Sequence, residues 1–85
     1  MTAMLKNKYY IVASYKGHDL EKDNKITNFS PNEKSGSGFC FKSGRRDISF
    51  LFETQVSLED KVKEFRKIAK EKKIRVKIEG FEYYD

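Results

Sequence analysis

SLEDKVKEFRKIAKEK, residues 57–72, carries the strongest secondary-structure signal in the chain and constrains what its neighbours must do. Ser57 is a good helix N-cap, and Glu59 and Asp60 stand in the first turn, where the helix dipole favours anions. Asp60 follows Ser57 by three residues, as in a capping box with a shorter acid than usual. Leu58, Val62, Phe65 and Ala69 recur at helical spacing and form one narrow apolar stripe, with Ile68 on its flank. The pattern predicts a helix over 58–72 with a single dry side, which needs a flat apolar surface to lie on.

The segments on either side supply that surface. Upstream, Phe39–Lys42 and Asp47–Glu53 are two strand patterns separated by Ser43-Gly44-Arg45-Arg46, with Gly44 at the permissive turn position. Phe39 and Phe41, stacked with Ile48, Phe50 and Phe52, are the expected core, and Leu51 hints that the opposite side is partly covered. Lys8–Lys16, KYYIVASYK, alternates Tyr9, Ile11, Ala13 and Tyr15 against Tyr10, Val12 and Ser14. Both of its faces are apolar enough for a central strand. Downstream, Ile74–Tyr84 alternates Ile74, Val76 and Ile78 with Arg75, Lys77 and Glu79. Gly80 is the place for a bulge that lets Phe81 and Tyr83 change sides.

Between the first strand and the hairpin, residues 17–38 form a long polar stretch with the only proline and three of the five glycines. They are expected to be a flexible loop in which only residues 26–29 have the composition of a short strand. The order is β-(β)-ββ-α-β. It describes a small single α+β domain over 1–85, an antiparallel-rich mixed sheet of four to five strands with one amphipathic helix packed on one face. The crossover through the helix should place the last strand parallel to a neighbour.

Composition narrows the function. The 85 residues leave room for one core, 36% are charged, and the net charge is +5. The sequence contains seven Phe and five Tyr but no Trp. A single cysteine, Cys40, cannot form an internal disulfide and suits a reducing cytoplasm. No apolar run resembles a signal peptide or reaches the ~20 residues of a membrane span, so the expectation is a cytoplasmic protein with no membrane partner.

Catalytic sets are sparse. His18 is the only histidine, and one Cys with one His makes no metal set, so neither metal nor cofactor is expected. A Cys40–His18 nucleophile pair is outweighed by Cys40 as a buried structural thiol and His18 as a solvated turn residue. Asp19, Glu21 and Asp23 alternate like a calcium loop but lack its glycine and closing glutamate. Ser35-Gly-Ser-Gly38 precedes a strand, whereas phosphate loops open a helix, so a linker is the better reading. The chain is therefore expected to bind, not to catalyse.

Charge is concentrated. Lys61 to Lys77 holds nine basic and two acidic residues, a net of +7, which leaves the rest of the chain at −2. On a helical wheel Lys63, Arg66, Lys67 and Lys70 cover one flank, and Asp60, Glu64 and Glu71 cover the other. A basic ridge can track a phosphate backbone, and Arg45 and Arg46 at the hairpin tip offer a second contact. With Arg75 and Lys77 these make nucleic acid the first candidate partner, and the tyrosines offer rings on which unpaired bases can stack. The competing reading of the ridge is a solvated helix face. The second candidate function is an interaction or inhibitor protein, of the phage or mobile-element accessory kind, docking on a host protein through Tyr10, Phe81, Tyr83 and Tyr84. An exposed edge strand would also permit a homodimer instead of a monomer.

Overall fold

The computed structural model describes residues 7–83 and shows an α+β single domain, with a four-stranded antiparallel sheet and two helices. The elements are β1 (Asn7–Lys16), α1 (Leu20–Thr27), a 3-10 turn (Pro31–Glu33), β2 (Lys34–Cys40), β3 (Arg45–Thr54), α2 (Leu58–Glu71) and β4 (Lys77–Glu82). The strand order is β2-β3-β1-β4, and each neighbouring pair is antiparallel. This is a βαββαβ chain with two interleaved split βαβ units.

β1 takes a central position, as its two apolar faces require. Tyr9, Ile11, Ala13 and Tyr15 are buried on one face with Ile48, Phe50 and Phe52 of β3 and Ile78 of β4. α2 crosses this face and inserts Phe65, whose ring meets Phe50 at 5.1 Å and both Phe29 and Phe52 at 5.7 Å. Leu58 and Val62 pack at the margin of the same core. They can approach because β4 carries Gly80 there: a Cβ at that position would stand 2.5 Å from Leu58 Cδ1 and 2.9 Å from Val62 Cγ2. Gly80 is thus a close-approach glycine and not the expected bulge; the β1–β4 register runs unbroken through it. Phe81 consequently stays on the same side as Lys77 and Glu79, opposite Tyr10.

Residues 17–38 depart most from expectation. The polar stretch is neither a flexible loop nor a strand at 26–29, because α1, the 3-10 turn and most of β2 fill it. The alternating acids explain why. Asp19 caps α1 by accepting from Lys22 N at 3.1 Å, and Glu21 and Asp23 sit in its first turn. Ile26 then fills a gap at the edge of the core. Asp23 is buried, accepting from Arg46 Nε at 2.9 Å and from the Tyr15 hydroxyl. A second helix therefore anchors to the sheet through one apolar residue and one buried carboxylate, too sparse a pattern to register as amphipathic.

The hairpin turn also moves. It occupies Phe41–Gly44, with Gly44 at φ 68° and its N–H donating to Cys40 O at 2.7 Å. Arg45 and Arg46 are therefore the first residues of β3 and not a tip. Phe39 and Phe41 lie outside the core: they pack edge-on against each other at 5.2 Å, and Phe41 is 91% exposed. Cys40, opposite Arg45 on the other side of the sheet, is exposed and not a buried structural thiol. β4 does run parallel to β3, but β1 lies between them, so its one strand neighbour is antiparallel and the sheet is not mixed.

α2 ends in a Schellman turn, with Lys73 N donating to Lys70 O at 3.1 Å and Ile74 N to Ala69 O at 2.9 Å. Lys73 takes the left-handed position, φ 56°, that glycine usually fills.

Candidate nucleic-acid interface

Three strand ends meet where β1 finishes. Lys16 stands opposite Arg45, and Ser14 lies between Asp47 and Lys77. The α2–β4 connection brings Arg75 and Val76 to the same place, and α1 adds Lys22. The result is an open cleft of about 460 Å³ whose lining includes Lys16, Lys22, Arg45, Arg75 and Lys77 and no carboxylate. Arg45 is held by donation from Nη2 to Ser14 Oγ at 3.2 Å, and the Lys22 ammonium sits 4.8 Å from the centre of the Tyr15 ring. Lys77 has a carboxylate nearby, Glu79 at 3.5 Å. A neighbouring groove of about 350 Å³ shares Lys22 and Arg75 and adds Lys25, Lys72 and Lys73, with Asp19 and Glu21 on its wall. Positive charge from five separate segments is thus gathered at one end of the molecule, and a concave surface focuses its field.

The sequence-predicted basic residues divide into three groups. Arg45, Arg75 and Lys77 line the cleft. Arg46 does not: it faces the helices, is largely buried, and pairs with Asp23, whose Oδ2 also lies 3.6 Å from His18 Nε2. Its role is structural. The helix-flank residues do not line the cleft either. Lys63, Lys67 and Lys70 are exposed on α2, in the layer behind the sheet, and Arg66 donates to Ile78 O at 3.2 Å, tying α2 to β4. Hairpin arginines and helix ridge therefore do not compose the single surface the sequence suggested. Lys16 and Lys22 are the cleft residues that sequence reasoning missed. Their signal was weak, a lysine closing a strand and another three residues beyond a cap.

The aromatic residues divide just as sharply. Tyr9 and Tyr15 are core: the Tyr9 hydroxyl donates to Val56 O at 2.9 Å, and the Tyr15 hydroxyl, which donates to Asp23, accepts from Asp19 N at 3.0 Å. Burial raises both hydroxyls above their ordinary pKa, helped by the charges of Glu64 and Asp60 at Tyr9 and the Asp23 hydrogen bond at Tyr15. Tyr10, Phe81 and Tyr83 belong to the other side of the sheet, with the Tyr10 and Tyr83 rings 5.6 Å apart and the Lys8 ammonium 4.2 Å from the centre of Tyr83. Tyr84 lies outside the described residues.

Among the described residues no three His, Cys, Asp or Glu side chains gather in a way that could hold a metal ion. The exposed Cys40 thiol is drawn below its ordinary pKa by hydrogen bonding to the Ser43 side chain, then to the backbone of Ser43 and Lys42. No described helix is long and apolar enough to cross a membrane. Comparison with protein-family models, curated proteins and solved structures finds no match.

Proposed function

We propose that this protein is a non-enzymatic binding protein whose ligand is nucleic acid, held by its phosphates at the basic cleft. The supporting observation is the lining itself, five cationic side chains with no carboxylate among them. The cations are spread over five segments, β1, α1, β3, the α2–β4 connection and β4. That spread suits a chain of phosphates better than a single small anion. Each neutralised phosphate releases counterions, so the free energy of such binding is tied to salt. Arg45, already fixed by Ser14, is the positioned donor. Lys16, Lys22, Arg75 and Lys77 supply further phosphate contacts around it.

The test is a titration of labelled single- and double-stranded DNA and RNA. With four to five phosphate contacts on a single strand, affinity should fall roughly 50- to 130-fold between ~50 and ~200 mM salt. Arg75→Glu with Lys77→Glu should abolish binding. Lys63→Glu with Lys67→Glu, the same change in net charge on the helix flank, should retain most of it. Absence of binding to every nucleic acid at the lower salt would sink the proposal. The second reading, docking on another protein, would then stand on the exposed Phe81 ring.

A further inference from the structure

The helix-free face of the sheet is the largest feature that the cleft leaves unexplained. Successive rows across β3, β1 and β4 run Asp47–Ser14–Lys77, Ser49–Val12–Glu79 and Leu51–Tyr10–Phe81, with Arg45–Lys16 closing one end. The face is therefore basic at the cleft apart from Asp47, has hydroxyl and carboxylate in the next row, and is apolar and aromatic in the third, which the Lys8–Glu53 pair borders on the far side. Phe81 is 50% exposed there, although no core demands a ring at that position. On the β2 side Gly36 and Gly38 stand opposite Ser49 and Asp47, so that margin carries only small side chains, Ser35 against Ser49 at 3.2 Å and Cys40 opposite Arg45. No described element lies over this face, and both helices pack on the other one.

We infer that this face is a base-stacking platform continuous with the cleft, and that the ligand is a single strand and not a duplex. The inference rests on the nucleic-acid reading above. Phosphates are drawn to the Lys16–Arg45–Lys77 end and repelled beyond it by Asp47, beside Ser14, and by Glu79 of the next row. Those carboxylates instead accept hydrogen bonds from N–H groups on base edges, which are free in an unpaired base. The strand beyond the cleft thus turns its bases toward the sheet, where Phe81 and Tyr10 offer flat apolar rings. Stacking on such rings requires unpaired bases, because in a duplex they are already stacked and paired. Six residues of β1 separate Lys16 from Tyr10, about 20 Å at ~3.3 Å per residue.

The experiment uses the full chain and three fluorescein-labelled ligands of about ten units, the scale of single-strand sites: an oligothymidylate, its duplex with oligodeoxyadenylate, and an abasic chain of equal charge. The oligothymidylate should bind at least about 10-fold more tightly than the abasic chain, since each stacked base contributes. Phe81→Ala should lower oligothymidylate affinity roughly 5- to 100-fold and leave the abasic chain unaffected. Tyr10→Leu, which keeps bulk but removes the ring, should act in the same direction, with thermal unfolding confirming that both variants fold. Equal affinity for oligothymidylate and abasic chain, or an unchanged Phe81→Ala variant, overturns the stacking platform and leaves the phosphate cleft standing. Tighter binding of the duplex does the same. No binding of any of the three overturns both readings. If Phe81→Ala instead splits a dimer into monomers in sedimentation, the face joins two copies of this chain and the inference falls.

Discussion

The two faces of the sheet are built from the same three strands, yet they obey different rules. On the covered face Tyr9, Ile11, Ala13 and Tyr15 are at most 2% exposed and touch both helices' apolar residues. On the open face their neighbours Tyr10, Val12 and Ser14 are only half-buried. Burial energy is spent on one side, so side chains there are chosen by packing. On the other side packing demands little. Phe81, exposed two rows beyond the cleft, is accordingly not accounted for by packing within the fold.

The largest expected effect lies on the covered face. Phe65→Ala removes the ring that meets three other phenylalanines and should cost about 3–5 kcal/mol, measured by denaturant unfolding. That is a large part of a small domain's stability of roughly 5–15 kcal/mol. Gly80→Ala comes next. Its new methyl would press on Leu58 and Val62, and the overpacking should cost about 1–3 kcal/mol unless α2 shifts outward. A neutral result would show that the seam between α2 and β4 is looser than its distances imply. Leu51→Ala on the open face should change stability by about 1 kcal/mol or less, because its side chain is only half-buried there. A cost comparable to that of Phe65→Ala would mean that something covers this face, and the contrast between the two sides would be lost.

Much of the fold was legible because its signals are local. Ser57 and the 58–69 stripe specify α2, and the alternation of residues 8–16 specifies a central strand. α1 was not legible, since its helical character rests on an Asp19 cap, one buried isoleucine and an Asp23–Arg46 pair formed across 23 positions of sequence. The turn was misplaced by a few residues, and that displaced Arg45, Phe39 and Cys40 together. A shift of two positions keeps each side chain on its face but carries Phe39 past the core to the end of the sheet, opposite Arg46, and puts Phe41 in the turn. Within the candidate site, Arg45, Arg75 and Lys77 were legible as basic residues, but Lys16 and Lys22 carried no periodic pattern to distinguish them.

The sequence by itself determined the α+β class, the main helix, the excess of positive charge and the supply of aromatic rings. All four depend on residues near one another along the chain or on composition alone. Only the tertiary structure decided which charges and rings share a surface. Strand order places β1 between β3 and β4, and this brings Lys16, Arg45 and Lys77 side by side while sending Arg46 inward to Asp23. Such lateral pairing comes from long-range contacts whose register depends on the burial of the whole covered face, which no local window contains.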